Sequence, residues 1–149
     1  MSSDGGNEQP TTVETDLPDD SAGGGLGEMS VRGLTIAVHA GDRSEALAFY
    51  SALIGRDPDL GPDPDFYEWE ISPGAWLQLA TGRAGIRPSS FRLRLQVDDI
   101  DKSVAVLRSR GFDIGEVKRL PGMATFANLQ DPWGNPLGIY QDLGVVPGA

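Results

Sequence analysis

The sequence predicts an α+β fold built from two βαβββ units in succession. Residues 91–97 read FRLRLQV, in which apolar and polar side chains alternate as they do in a strand with one buried face. A helix with a clear N-cap follows this strand, and the same succession occurs earlier in the chain. One constant shift in numbering aligns the two copies, and it pairs Val38 with Leu95 and Asp42 with Asp99.

The first unit begins with a predicted strand over 34–40 and a helix over 43–54. Asp42 is a favourable N-cap, Glu45 completes a capping box, and Gly55 suits the left-handed position that ends a helix. Three further short strands are predicted for this unit, over 56–60, 66–71 and 75–80.

The second unit repeats this order, with a predicted strand over 91–97 and a helix over about 100–110 that Gly111 ends. Asp98, Asp99 and Asp101 could form an acidic cluster, but capping of this helix explains them better. The three strands that complete the unit are predicted over 113–118, 125–130 and 137–141. A slightly larger shift relates them to the first unit and pairs Gly74 with Gly134.

Residues 1–30 form a separate segment by composition. They contain seven acidic residues, no lysine or arginine and no aromatic residue. Such a segment cannot bury enough apolar surface to offset its ordering entropy, so we expect a disordered acidic tail over 1–30. The folded domain is expected over 31–149, with modules over 31–82 and 90–142.

Charge and composition exclude several functional classes. All 12 basic residues and the remaining 15 of the 22 acidic residues lie in 31–149, which leaves that part mildly negative and disfavours nucleic acid as a partner. No apolar run is long enough to span a membrane. The chain has no cysteine and no signal-like N-terminus, and we therefore expect a cytoplasmic protein.

Three motifs carry a resemblance to a known family. LAFYSALIG at 47–55, VDDIDKSVAVLRSRGF at 97–112 and DPWGNPLGIYQ at 131–141 occur in this order within the paired βαβββ frame. In this the chain resembles the vicinal oxygen chelate superfamily of glyoxalases, extradiol dioxygenases and bleomycin-resistance proteins. The resemblance implies an incomplete eight-stranded barrel from the two modules, a concave ligand cavity and a homodimer.

The resemblance also implies four strand positions at which enzymes of this superfamily bind a divalent metal. In this sequence those positions carry Thr35, Gln78, Arg92 and Gly138. Arginine has no lone pair to donate and stays cationic, and glycine has no side chain. We therefore predict that the usual metal, and any other cofactor, is absent.

The strand alternation places Arg92 and Arg94 on the face opposite the core, together with Thr35 and His39 of the matching strand. One interpretation is that the two arginines bind a carboxylate, phosphate or enolate oxygen. The other is that one or both of them pair with Glu68 or Glu70 of a neighbouring strand and keep the face hydrated.

Three further side chains are candidates for the predicted ligand site. His39 is the only histidine, and it is either a structural residue or a catalytic base. Trp76 shares its face with Gln78, and the two could form the floor and a polar anchor of a pocket for a flat ligand, although Trp76 could also pack between the modules. Of the other tryptophans, Trp69 is predicted in the core and Trp133 at the surface or at a dimer contact.

The principal hypothesis is a metal-free protein that binds a small polar or anionic, possibly aromatic molecule in the concave cavity, for sequestration or sensing. The predicted ligand-binding residues are listed here: Thr35, His39, Glu70, Trp76, Gln78, Arg92 and Arg94. A lyase, isomerase or oxygenase of the glyoxalase or dioxygenase type is the alternative, using a divalent metal held by His39, Glu70 and Gln78 or acid–base catalysis by His39. A small protein-interaction module is a third hypothesis.

Overall fold

The computed structural model describes residues 29–63, 65–83 and 85–142. The predicted tail over 1–30 therefore lies almost entirely outside the described residues. By its contacts the chain divides into two units, Met1–Leu34 and Thr35–Ala149. In the first unit, the described side chains of Met29, Val31 and Leu34 are mostly exposed.

Two helices and eight strands make up the described part of the chain. The first module contains β1 (Leu34–His39), α1 (Arg43–Ile54), β2 (Leu60–Asp63), β3 (Phe66–Ser72) and β4 (Ala75–Ala80). The second contains β5 (Leu93–Gln96), α2 (Ile100–Ser109), β6 (Lys118–Leu120), β7 (Ala124–Gln130) and β8 (Pro136–Asp142).

The two modules form two four-stranded sheets with the same internal order, β1-β4-β3-β2 and β5-β8-β7-β6. In the second sheet β5 is parallel to β8, whereas the other pairs are antiparallel. The predicted α+β class and the repeat of βαβββ modules are thereby confirmed. The sheets do not close into a continuous barrel, which is consistent with the expected incomplete one.

Both helices begin where their capping residues predict and α1 ends at Gly55 as predicted, whereas α2 ends at Ser109 with Arg110 as its C-cap, one residue earlier than predicted. The carboxylate of Asp42 accepts the Glu45 backbone N–H at 2.8 Å, and that of Asp99 accepts the Lys102 N–H at 3.0 Å. Gly55 ends α1 with φ of 93°, a left-handed conformation that glycine adopts without a steric cost. Asp101 is exposed and pairs with Arg119, as expected for a surface carboxylate rather than a member of an acidic cluster.

Two of the predicted strands are wrong in position. Residues 56–60 do not form a strand, because the Asp59 carboxylate binds the Arg56 guanidinium at 2.6 Å and the Glu70 backbone N–H at 2.7 Å, and β2 starts only at Leu60. These partners, the Glu70 N–H first, hold the pKa of Asp59 below its ordinary value. An irregular segment over 113–117 replaces the other strand, since Arg108 binds the carbonyls of Ile114 and Gly115.

One core links the helices to the inner faces of both sheets. Its largest fully buried side chains are Trp69, Tyr50, Leu77, Leu79, Ile100 and Leu137. The prediction of Trp69 as a core residue is confirmed, and its indole Nε1 donates to the Arg56 carbonyl at 3.0 Å. Phe91 is 57% exposed and lies outside β5, so its expected place in the core is wrong.

A buried polar cluster connects the two modules. Asp131 is 3% exposed and its carboxylate accepts the Tyr50 hydroxyl at 2.7 Å and the Asn135 side-chain amide at 2.7 Å. The same amide donates to the His39 carbonyl at 2.9 Å, and Asn135 Oδ1 accepts the Ser89 N–H at 2.8 Å. Burial and, to a smaller extent, the Asp131 carboxylate raise the pKa of Tyr50, which keeps its hydroxyl a neutral donor.

Candidate functional site

The sheets turn their polar sides away from the shared core. The first polar face, on the first sheet, consists of Thr35, Ala37, His39, Phe66, Glu68, Glu70, Trp76 and Gln78. The second polar face, on the second sheet, consists of Arg94, Gln96, Lys118, Leu120, Ala124, Phe126, Asn128, Gly138 and Tyr140. The structure therefore separates the predicted site residues into two groups. It stays a prediction that both groups line one cavity.

The first polar face is acidic and aromatic. Gln78 Nε2 donates to Glu68 Oε2 at 2.9 Å, and Glu70 Oε2 accepts the Gly74 N–H at 3.2 Å. Trp76 lies half-buried directly opposite Glu70. Thr35 and His39 are exposed on β1, and the backbone carbonyl of His39 anchors Asn135.

Arg92 lies just before β5, and its guanidinium is directed at the backbone of its own module. Nη1 donates to the Leu137 carbonyl at 2.6 Å and to the Leu129 carbonyl at 3.3 Å. The expected alternative, a pair with Glu68 or Glu70, is therefore wrong. Its assignment to ligand binding stays a prediction, and these bonds give Arg92 a structural role.

Arg94 presents its guanidinium on the second polar face. The guanidinium carbon lies 5.0 Å from the centroid of the Phe126 ring, a cation–π geometry, and Nη2 donates to Asn128 Oδ1 at 3.3 Å. A guanidinium carries five N–H groups, so most of its donors remain available to an oxyanion. Stacking on Phe126 restricts the side chain before any ligand arrives, which lowers the entropy lost on binding.

A cavity of about 360 Å³ adjoins this guanidinium and is lined by Arg94, Leu120, Ala124, Phe126 and Tyr140. Its walls combine one cation, two aromatic rings and two aliphatic side chains. Such a lining suits a flat apolar molecule that carries one negative group. The Tyr140 hydroxyl, which donates to Gln96 Oε1 at 3.3 Å, is the second polar group of the lining.

The sequence did not identify Phe126, Asn128 or Tyr140 as site residues. The alternation in β7 does place Phe126 and Asn128 on one face and Thr125, Ala127 and Leu129 on the other. Their distance to Arg94 depends on the β7–β8 register, which pairs Phe126 with Tyr140. The sequence pattern does not determine that register. The alternation of side chains along β7 and β8 could nevertheless have identified these residues as candidates for the polar face.

The four positions that would hold a metal in this superfamily do not fit one. A Cβ added to Gly138 would lie 3.2 Å from Arg94 Cγ and 3.1 Å from Asn128 Oδ1, so the arginine stem takes the space where a ligand side chain would stand. The amide of Gln78 donates to Glu68, and Arg92 offers only donors. Within the described ranges no group of three or more His, Cys, Asp or Glu side chains could hold a metal ion.

The close packing at Gly138 leads to a stability prediction. We expect Gly138→Ala to lower the free energy of unfolding by about 2 kcal/mol, because its Cβ would lie 3.0 Å from the Ala127 carbonyl oxygen and would push Arg94 aside. Urea unfolding measures this loss. Gly115→Ala is the matched control, since its Cβ would meet a single atom at 3.4 Å; equal losses in the two variants would contradict the crowding.

Trp133 does not occupy the free surface position expected of it. The ring is half-buried and packs against the core, and a Cβ on Gly41 would lie 2.9 Å from its Nε1. The Asp131 carboxylate accepts the Trp133 backbone N–H at 3.0 Å and so holds the turn over 131–135. A dimer contact by Trp133 stays a prediction.

Comparison with solved structures identifies the fold. The glyoxalase/bleomycin resistance protein from Catenulispora acidiphila DSM 44928 aligns with a TM-score of 0.64 and 22% identity, over 74% of this chain and 97% of that one. The lactoylglutathione lyase from Agrobacterium tumefaciens gives a TM-score of 0.59 and 18% identity, over 72% and 91%. This chain has the vicinal oxygen chelate fold.

A third similar structure is TnmS3, an antibiotic binding protein from Streptomyces sp. CB03234. It aligns with a TM-score of 0.61 and 25% identity, over 79% of this chain and 99% of that one. No protein-family model and no curated protein matches the sequence. Neither described helix is long and apolar enough to cross a membrane. Proteins with this fold thus include both an enzyme and a ligand-binding protein. The fold alone therefore does not distinguish the two functions for this chain.

Proposed function

We propose that this chain binds a small organic anion with a flat apolar body on the second polar face, for sequestration or sensing. The observation that carries the proposal is the Arg94 guanidinium, stacked 5.0 Å from the Phe126 centroid at the edge of the 360 Å³ cavity. Arg94 binds the anionic group, and the rings of Phe126 and Tyr140 contact the body of the ligand.

Binding rather than turnover is proposed because of the groups that surround Arg94. The cavity lining contains no side chain that commonly acts as a base or nucleophile near neutral pH. The Tyr140 hydroxyl donates a hydrogen bond to Gln96. The fold similarity to TnmS3, described as antibiotic binding, supports the same class of function. The enzyme alternative based on His39, Glu70 and Gln78 stays a prediction on the first polar face.

Naphthoate and its neutral counterpart naphthalenemethanol test the charge requirement. The two molecules share a flat apolar body and differ in the carboxylate, so isothermal titration should give naphthoate the lower Kd by about tenfold. Equal affinity for both would contradict an anion site. In the amide NMR spectrum the shifted signals should cluster at Arg94, Phe126 and Tyr140.

A homodimer is proposed as the assembly that completes the site. β1 and β5 lie at the edges of their sheets, and unpaired edges favour association with another strand. The first polar face carries Glu68 and Glu70, whereas the second carries Arg94 and Lys118. In a two-fold dimer the first polar face of one copy would meet the second polar face of the other, which brings Trp76 and Gln78 over the Arg94 cavity.

Sedimentation measures this dimer directly. We expect association that weakens as salt is raised and weakens further in Glu70→Lys, because opposite charges across the contact attract each other. Glu45→Lys makes the same charge change in the first turn of α1, on the helix side of the first sheet, and should leave association unchanged. A monomer at all concentrations would contradict the dimer.

A further inference from the structure

A groove of about 390 Å³ runs along one flank of α2, on the helix side of the second sheet. The helix contributes Lys102, Ser103, Val106, Leu107 and Arg110 to it. Leu95, Val97 and Ile139 form its floor, and Leu53, Ile54, Arg56 and Ile71 form the opposite wall. Gln96 of the second polar face also reaches the groove, but the groove shares no lining residue with the Arg94 cavity, because Leu95 and Arg94 point to opposite sides of β5.

The groove exposes apolar carbon on both walls. Val106 on α2 is 36% exposed and Ile71 at the end of β3 is 37% exposed, and both are large aliphatic side chains. Leu107 and Ile139 lie buried beneath them. A ligand that covers Val106 and Ile71 would remove this apolar surface from water, which is favourable in proportion to the area covered.

The charges of the groove are all positive. Its lining includes Lys102, Arg56 and Arg110 and no acidic side chain among the described residues. Arg56 is neutralised by Asp59, with Nη1 2.6 Å from its carboxylate oxygen. Two cationic groups therefore remain for a ligand, one from Lys102 and one from Arg110.

These two cations stand at opposite ends of the groove. Lys102 lies in the first turn of α2 and Arg110 is its C-cap, a separation of about 12 Å along a helix that rises 1.5 Å per residue. Arg110 Nη1 donates to the Ala52 carbonyl at 2.8 Å, which fixes the guanidinium and leaves Nη2 free for an oxyanion. The Lys102 ammonium has no ion-pair partner among the described residues.

We propose that this groove is a second ligand site, separate from the Arg94 cavity, for a carboxylate with an elongated apolar body. The anionic group pairs with Arg110 or Lys102, and the apolar body lies along Val106 and Ile71 over the floor of β5. The volume of about 390 Å³ lies in the range of small-molecule pockets.

Decanoate is the probe that tests the site, with decanol as its neutral counterpart. In the amide NMR spectrum of the whole chain, decanoate should shift the signals of Val97, Val106 and Leu107, with a Kd at least about tenfold lower than that of decanol. Val106→Glu should weaken decanoate binding by at least about tenfold, because it places a like charge in the groove. Ala105→Glu is the matched control, since Ala105 is the exposed neighbour outside the groove, and it should bind as the parent chain does.

Two further variants separate this site from the other proposals. The double variant Lys102→Gln, Arg110→Gln should weaken decanoate binding, whereas Lys118→Gln on the second polar face should not. Arg94→Gln should keep decanoate binding while losing naphthoate, so the two sites can fail independently. Shifts scattered over both sheets, or unchanged affinity in Val106→Glu, would overturn the proposal. Concentration-dependent protection of the Val106 and Leu107 amides without decanoate would assign the groove to a second copy and would also overturn it.

Discussion

Replacing Asp131 by alanine is expected to destabilise the folded chain by about 4 kcal/mol, because it removes the acceptor from several buried donors. The carboxylate accepts the Tyr50 hydroxyl and the Asn135 side-chain amide at 2.7 Å, the Asn135 N–H at 2.8 Å and the Trp133 N–H at 3.0 Å. None of these donors gains a protein acceptor when the side chain is shortened. Urea unfolding followed by far-ultraviolet circular dichroism measures the loss.

Tyr50→Phe gives the comparison for this prediction. It removes one donor and leaves the Asp131 carboxylate with its three remaining hydrogen bonds, so we expect a loss of about 1 kcal/mol. Asp113→Ala removes a carboxylate that is exposed on the segment after α2 and should change stability by less than about 1 kcal/mol. A loss in Asp131→Ala no greater than that in Tyr50→Phe would contradict the role given to the cluster.

Replacing Arg94 by glutamine is expected to raise the Kd for naphthoate by about thirtyfold, equivalent to about 2 kcal/mol for a hydrogen bond to a charged group. Glutamine retains a polar end, but it loses both the charge and the stacked guanidinium over Phe126. The affinity for naphthalenemethanol should change little, since the neutral molecule has no oxyanion. Isothermal titration of the two probes measures both changes.

Two other arginines give this prediction its controls. Arg119→Gln removes a positive charge from the opposite side of the second sheet, where Arg119 pairs with Asp101 at 3.0 Å, and should leave the naphthoate Kd unchanged. Arg92→Gln distinguishes the structural role from the ligand role, because Arg92 bonds the Leu129 and Leu137 carbonyls. We expect it to lower stability while the naphthoate Kd changes less than in Arg94→Gln. A larger increase in the naphthoate Kd in Arg92→Gln than in Arg94→Gln would show that Arg92 makes the anion contact.

The positions of the helices and the buried faces of the strands could be predicted because they depend on residues that are close together in the sequence. The N-caps Asp42 and Asp99 hydrogen-bond backbone groups within the first turn of each helix, so their pattern determines where each helix starts. Alternation in the strands likewise predicted which face is buried, as Val38 and Leu77 show. The strand wrongly predicted over 56–60 had no such signal. The conformation of this segment depends on the hydrogen bond that the Asp59 carboxylate accepts from the Glu70 backbone N–H, and Glu70 lies further along the chain in β3.

The candidate site was less predictable because it depends on contacts between distant segments. By alternation Arg92 and Arg94 look equivalent in the sequence, yet Arg92 lies before β5 and binds carbonyls of β7 and β8, whereas Arg94 stacks on a ring. Phe126 is far from Arg94 in the sequence, and only the register of the sheet brings them together. The absence of the usual metal stays a prediction. The structure adds that Arg94 fills the space beside Gly138.

The central claim is that a guanidinium, rather than a divalent metal, holds the ligand on the second polar face. Native mass spectrometry of the protein purified without denaturation tests this most directly, combined with elemental analysis of the same sample. We predict a copurified organic anion at up to one per chain, lost in Arg94→Gln and retained after treatment with a chelator. A stoichiometric divalent metal that survives purification and persists in Arg94→Gln would contradict the account.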